Sequence, residues 1–527
     1  MADALHKNTA KVGMAIMLSR ILGLVREQVF AMFFGAGTAM DAYNVAFRVP
    51  NLLRDLFAEG AMSSAFVTVF SRAKSLHGPE RAFAIGRKVI TLLGLVVGLV
   101  VIAGIVFSPG ISSAFAPDFS RIEGKSEMTA VLMAIMFPFL WLVSLSAVLM
   151  GVLNAFGRFG LPALAPSLFN VGNLVIGGLA AYGCHLKGIN PIYGMAVGTV
   201  AGGFLQWGLL VPPCLKAGFR MAPSNPLGDP DVKDMMRLML PSLLGLSAVQ
   251  INIVITTNFA SGLEEGAISW LGYAFRFMQL PIGVFGVAIA TVSLPRLSQM
   301  NAEQDTKKFN ESLTHSAILG LLLTLPASTG LWIHSESIIR AIYRYGSFMD
   351  HDVTMTASAL RAYAVGLVAY AMVKIFVPAY YAMGKTRIPV IGTTVAIGVN
   401  LIGCSIAYQS GSHADLAMAT SWAAMANLFV LIFCGQGRLW RIATGEIGIA
   451  LAKIAASSAI MATFGMWMQN KWNVTFGTHQ SLLNIIGVMI YLMGGGLVYF
   501  SACSLFGVAE SRILMKKVAQ KLGLKRR

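Results

Sequence analysis

The chain has 527 residues, of which 56% are hydrophobic and only 12% charged, with a formal net charge of +17. A soluble domain carries about a quarter charged residues, so the soluble class is excluded, and mean hydropathy of +0.69 points to a polytopic, all-α membrane protein with repeated stretches able to cross about 30 Å of hydrocarbon. Segments of ~10 alternating residues do not recur, which excludes a β-barrel, and the positive charge sits in short loops and the tail, where it sets orientation rather than marking a nucleic-acid surface.

In chain order, "MADALHKNTAKVGMAIM" places basic residues before an apolar run with no small-residue cleavage site, so the first helix is read as uncleaved. Fourteen transmembrane helices are predicted at approximately 12–34, 41–70, 89–108, 129–153, 161–181, 191–212, 238–260, 267–294, 314–333, 354–382, 388–407, 415–434, 447–468 and 482–506. The alternate loops 71–88, 154–160, 213–237, 295–313, 383–387 and 435–446, together with both terminal segments, hold 26 Lys and Arg, against six in the other loops (Arg121, Lys125, Lys187, Arg340, Arg344 and Lys471). That bias assigns the first set, and both termini, to the cytoplasm. The Pro-rich break at 217–237 separates six spans from the next six. Ala46-Phe47-Arg48 and Ala274-Phe275-Arg276 stand in the second span of each half, consistent with two pseudo-symmetric six-helix lobes. The expected organisation is 1–218 for helices 1–6, 219–440 for helices 7–12, and 441–527 for helices 13–14 and a basic tail.

Five scattered cysteines and eight dispersed histidines, with no C-x-x-C and no H-E-x-x-H, give neither a disulfide framework nor a metal site. The informative residues are charges inside spans. Lys453 and Arg361 lie shallow enough to snorkel to the headgroups. Arg26 lies about 21 Å into span 1, Arg54 about 20 Å into span 2 and Arg276 about 14 Å into span 8, at 1.5 Å per residue. Each would cost about 2.5–3.5 kcal/mol facing lipid, so they are expected to face a polar interior. Arg20 and Arg26 flank Gly23, and Arg48 and Arg54 repeat their six-residue spacing across Pro50. Glu27, Asp41, Asp55 and Glu59 are near in sequence and could pair with them; Asp41 is also suited to cap span 2. The two readings are structural pairing and anion binding, and guanidinium forks match phosphate oxygens better than ammonium does. A diphosphate would suit several converging arginines.

"SRILGLVRE", "GAGTAMDAYNVAFRVPNLLRDLFAEGAMSSAFV" and "SWLGYAFRFMQLPIGVFGVAIATVSLPRLS" resemble the MurJ/MviN lipid II flippases, of the multidrug/oligosaccharidyl-lipid/polysaccharide exporter superfamily, over essentially the whole chain. The resemblance implies a bacterial inner-membrane transporter, not an enzyme, serving peptidoglycan synthesis. By alternating access it would carry lipid II, an undecaprenyl-diphosphate-linked glycopeptide, from the cytoplasmic to the periplasmic leaflet. It carries substrate-binding roles onto Arg20, Arg26, Arg54 and Arg276, with Asp41 and Glu59 at recurrent acidic positions and Arg48 at a position some relatives fill with Lys. Some relatives have Asp at the position of Glu27 and an acid at that of Phe275. Helices 13 and 14 correspond to the family's lipid-tail groove. Implied partners are lipid II, membrane lipids and the cell-wall synthesis machinery, with no nucleic acid and a monomeric protein. No cofactor is implied beyond a coupling ion or the membrane potential, of which 100 mV acting on one charge is worth about 2.3 kcal/mol.

A multidrug or cation antiporter calls for an acidic rather than an arginine-rich cavity. A flippase for another polyprenyl-diphosphate oligosaccharide fits the same charges. A membrane-embedded transferase needs a placed carboxylate or His, for which Glu59 is the one deep acid, and a scaffold leaves the deep arginines unexplained.

Overall fold

A computed structural model describes residues 2–57, 61–434, 445–476 and 481–521. The described residues are all-helical, 88% of them in helices. Two compact units emerge, Met1–Ile268 and Ser269–Arg527. Glu59, Arg438, Arg441 and the tail residues Lys525, Arg526 and Arg527 lie outside the described residues.

The first unit contains α1 (Ala2–Phe34), α2 (Thr38–Phe57), α3 (Ala61–Val106), α4 (Ser108–Phe115), α5 (Lys125–Ala155), α6 (Gly160–Leu186), α7 (Ile192–Lys216) and α8 (Pro230–Ala260). α5 is its axis, buried along most of its length against α2, α3 and α7. Hydroxyls inside these apolar helices turn back on their own backbone: Thr129 donates to Lys125 O at 2.7 Å and Ser146 to Leu142 O at 2.8 Å. No water competes in hydrocarbon, so polar groups are satisfied within the protein. α6 and α7 approach backbone to backbone, because Gly172, Gly177, Gly194, Gly198 and Gly202 line their crossing. A Cβ on Gly194 would lie 2.1 Å from Ala181 N, and one on Gly198 2.3 Å from Gly177 Cα. Gly198→Val is therefore expected to cost more than ordinary overpacking, which is about 1–3 kcal/mol, read as a loss of monodisperse protein in detergent with wild-type message levels.

The second unit contains α9 (Ala267–Pro281), a π-helical segment (Ile282–Val287), α10 (Ala288–Ala302), α11 (Thr306–Tyr343), α12 (Asp350–Ala382), α13 (Arg387–Ser410), α14 (His413–Phe433), α15 (Glu446–Phe476), α16 (Ser481–Leu505) and α17 (Ala509–Lys521). Here α12 is the axis, packed on α10, α11 and α14. The pairings repeat those of the first unit in the same order: α6 with α7 and α13 with α14, α5 with α7 and α12 with α14, α3 with α5 and α11 with α12. α15 and α16 pack on each other and on α11.

Among the described residues, eleven helices are long and apolar enough to cross a membrane by length and composition. α1 and α2 are not among them, and their charges are the reason. Every 18-residue stretch of α1 beyond residue 11 contains Arg20, Arg26 and Glu27, while α2 carries Asp41, Arg48, Arg54 and Asp55 within 20 residues. Two expected loops prove helical. Residues 71–88 continue α3, broken at Gly78 (φ 81°, ψ 175°) before Pro79, and α10 runs on past Pro295 to Ala302.

The kinked part of α3 is clamped to the start of α8. Asp229 caps α8, accepting from Asp231 N at 2.9 Å, with Pro230 in the first helical position. Its carboxylate also accepts from Arg81 at 3.1 Å and Lys88 at 2.7 Å. Burial pushes the Asp229 carboxyl upward, but the Lys88 ammonium, the Asp231 N–H and Arg81 outweigh it and hold it below the usual carboxylate range. A depressed carboxyl stabilises the fold fully above its unfolded pKa and ceases to as pH falls through the folded value. Thermal unfolding should therefore shift down between about pH 4 and more acid conditions, and Asp229→Asn should flatten that part of the profile.

Candidate functional site

In the first unit, α1 lies along α6, and their contact positions Arg26. Gly23 lets the helices close: a Cβ there would sit 3.8 Å from Asn170 Nδ2, which also donates to Ser19 O at 3.3 Å. One turn on, the Arg26 guanidinium lies over the Phe169 ring, 5.3 Å from its centroid, and pairs with Glu27 at 2.7 Å. Both side chains are largely removed from solvent, 11% and 7% exposed. Arg20, three residues before Gly23, is exposed. Beneath this pair is a buried polar triad that the sequence did not suggest, with Tyr43 OH and Thr199 Oγ1 at 2.7 Å and Asn173 Nδ2 donating to Thr199 Oγ1 at 2.9 Å. Tyr43 also packs on Phe30, with ring centroids 4.9 Å apart, which fixes α2 against α1.

On α2, Arg54 pairs with Asp55 at 3.0 Å, and Asp55 accepts from Gln250 of α8 at 3.1 Å. Arg48 is half-buried beside Phe47, whose ring meets Phe139 of α5.

Asp41 behaves differently from its expected capping role. α2 begins at Thr38, three residues earlier, and its first N–H donates to Glu265 at 2.7 Å, so Glu265 is the capping group. Asp41 is 2% exposed and accepts from Lys125 Nζ at 3.0 Å and Gly266 N at 2.9 Å. Lys125, expected in one of the sparsely charged loops, is also 2% exposed and lies over the Phe119 ring, 4.2 Å from its centroid. The Thr38 hydroxyl holds the Glu265 carboxyl below its usual range; burial opposes this, and the Thr38 N–H and Lys125 add to it. Lys125 and Glu265 are thus parts of the site region that sequence reasoning missed. Their partners lie 84 and 227 residues away, and the one available signal was that Lys125 is among six basic residues in the sparsely charged loops.

In the second unit, Arg276 is exposed on α9, six residues before the π-helical segment. Its neighbour Phe275 packs edge-on against Tyr363. Arg361, expected to snorkel, instead donates to Ser335 at 2.9 Å and lies 3.7 Å from Glu336. Glu336 also meets Arg340, and Asp350 meets Arg344, forming a connected ionic row. A cavity of about 300 Å³ opens between the π-helical segment, α11, α15 and α16, walled by residues such as Phe285, Leu322, Met461 and Phe500. Its lining is almost wholly apolar. Among its few polar members, His334 contacts Gln469 at 2.7 Å and stacks on Tyr491.

The lipid II flippase MurJ family model matches residues 30–487. The chain belongs to the MurJ family. A probable lipid II flippase MurJ of Vibrio cholerae is 31% identical over 518 residues, covering 96% of each chain. The lipid II flippase MurJ of Burkholderia cenocepacia is 35% identical over 496 residues, 92% of this chain and 93% of its own. A solved MurJ in an inward closed conformation superposes with a TM-score of 0.75 at 27% identity, over 94% of this chain and 98% of that one. A multidrug resistance MATE transporter of the MOP superfamily, in an inward-facing conformation, shares the fold alone, with a TM-score of 0.67 at 15% identity, over 81% and 96% of the two chains. Membership of the MurJ family makes this a multi-pass membrane transporter rather than an enzyme.

Proposed function

We propose that this chain flips lipid II across the bacterial inner membrane for peptidoglycan synthesis, with the diphosphate held by Arg20, Arg26, Arg48, Arg54 and Arg276. The observation that carries this reading is the full-length relationship to proteins named lipid II flippases, joined to the placement of guanidinium groups on α1, α2 and α9. Counting α1, α2 and α8 with the eleven apolar spans gives fourteen transmembrane helices, organised as two six-helix lobes and a final pair. The charge bias puts both termini in the cytoplasm.

Arg26 and Arg54 each carry a neighbouring carboxylate, so an incoming diphosphate competes with an acid already in place. That exchange keeps the site from paying the full cost of an unpaired buried charge in the absence of cargo. Asp41 serves the site through α2, whose start it anchors, and Glu59 is assigned to the same acidic set. The polyprenyl tail stays in lipid and lies along the apolar cavity beside α15 and α16. Alternating access then moves the headgroup outward, with the membrane potential or a coupling ion as the driving term and one chain as the functional unit.

The deciding experiment follows lipid II in the outer leaflet after the resident flippase is depleted and this chain is expressed. Recovery of labelled lipid II at the outer leaflet is the expected result. Membrane insertion of the chain without any recovery would refute the assignment.

A further inference from the structure

The turn between α16 and α17 brings two cations together. Gly507 adopts φ 75° there, and a Cβ at that position would lie 3.9 Å from Lys453 Nζ and 4.0 Å from Arg512 Nη2. The two cationic atoms are therefore within about 8 Å of each other. A phosphate with one oxygen bonded to each, at about 2.8 Å, can bridge cations no further apart than that. Lys453 is half-buried on α15, and among the described residues its ammonium has no ion-pair partner. Arg512 uses Nη2 on Ser504 O at 3.1 Å, leaving most of its fork available. Lys516, one turn further along α17, is exposed. The nearby acids are Glu510, engaged by His315 at 3.3 Å and about 200° around the helix from Arg512, and Glu446, two turns before Lys453.

The flanking surface indicates what carries the phosphate. Leu505 is 84% exposed and Phe506 41% exposed, immediately before Gly507. Apolar side chains offered to the surroundings beside a pair of cations suit a phosphate that has acyl chains attached, and a free phosphate would make no use of them. Basic pockets at helix ends hold anionic lipid headgroups in this way.

We infer that Lys453 and Arg512, spaced by Gly507, bind the phosphodiester of an anionic glycerophospholipid at this end of the second unit. On the orientation proposed above, the lipid belongs to the cytoplasmic leaflet.

The test uses the purified full chain in detergent, where binding is read without turnover, so failure of the flippase assignment leaves the result intact. Native mass spectrometry with phosphatidylglycerol and phosphatidylcholine should show retained phosphatidylglycerol. Lys453→Gln/Arg512→Gln should weaken its binding about thirtyfold, two cations at about 1 kcal/mol each, with phosphatidylcholine unaffected. Lys453→Arg/Arg512→Lys should bind within about twofold of wild type. Inorganic phosphate in millimolar amounts should not displace the lipid. A second measurement needs no variant: photoreactive phosphatidylglycerol should label residues 449–456 or 503–516 of the wild-type chain. Undiminished binding by the doubly neutral variant, labelling confined to other segments, or more effective displacement by a polyprenyl diphosphate than by phosphatidylglycerol would each overturn the inference.

Discussion

Arg26→Gln combined with Glu27→Gln is expected to leave a folded, inserted protein that no longer transports lipid II. The pair must be changed together because each side chain neutralises the other: they are 2.7 Å apart and 11% and 7% exposed. Arg26→Ala alone would strand the Glu27 carboxylate in a largely dry site, and breaking a buried pair from one side costs about 3–5 kcal/mol. Lost growth in that single variant would then mix instability with lost binding. Removing both charges avoids the penalty while still deleting the group proposed to grip the diphosphate. A charge-assisted hydrogen bond is worth about 1.5–3 kcal/mol, so cargo affinity should fall about tenfold to hundredfold, and complementation of a flippase-depleted strain should fail. Glu27→Gln alone provides the opposite arm. It strands the Arg26 charge over Phe169 at a similar cost in stability, but with its paired carboxylate gone, cargo should bind more tightly per folded molecule than in wild type. Normal complementation by the double variant, at wild-type levels in the membrane, would remove Arg26 from the binding machinery.

Arg26 could be singled out from sequence because depth is a one-dimensional property: counting residues from a helix end locates a charge in the bilayer. The same count flagged Arg54 and Arg276. It could not show what each group meets, since Phe169 is 143 positions from Arg26 in the chain and Gln250 is 195 from Asp55. Lys125 shows the limit most clearly. Hydropathy put it at a loop edge, where lysines are usually solvated, and only the fold brings Asp41 and the Phe119 ring to it. Helix ends were misread for a related reason. Residues 71–88 are basic enough to look like a loop, yet cations on one face of an interfacial helix are equally basic, and the only real break is Gly78-Pro79. The π-helical segment at Ile282–Val287 leaves the hydrophobic pattern of its span intact; a single extra residue per turn changes register without changing composition.

Lys125→Met is expected to be strongly destabilising, and Asp41→Asn combined with it should restore most of the loss. Both side chains are 2% exposed, so either single substitution leaves a buried charge without its partner, at about 3–5 kcal/mol. In the double variant neither charge of the pair remains, and the amide carbonyl oxygen of the substituted side chain can still accept the Gly266 N–H that Asp41 accepts at 2.9 Å. The unfolding midpoint in detergent, followed by tryptophan fluorescence, should therefore fall in each single variant and recover in the double one, with a coupling of up to about 3 kcal/mol. Transport should follow the same order. Asp41 stands at the first turn of the helix that carries Arg48 and Arg54, about 20 Å along the axis from Arg54, so loosening this anchor displaces both arginines without touching either. Arg54→Gln should behave otherwise: its transport defect should persist when Asp55 is also neutralised, because there the guanidinium itself is proposed to hold cargo. If the Asp41 and Lys125 changes are instead additive in stability, the two groups do not share a buried contact, and the anchoring role assigned to Asp41 fails with it.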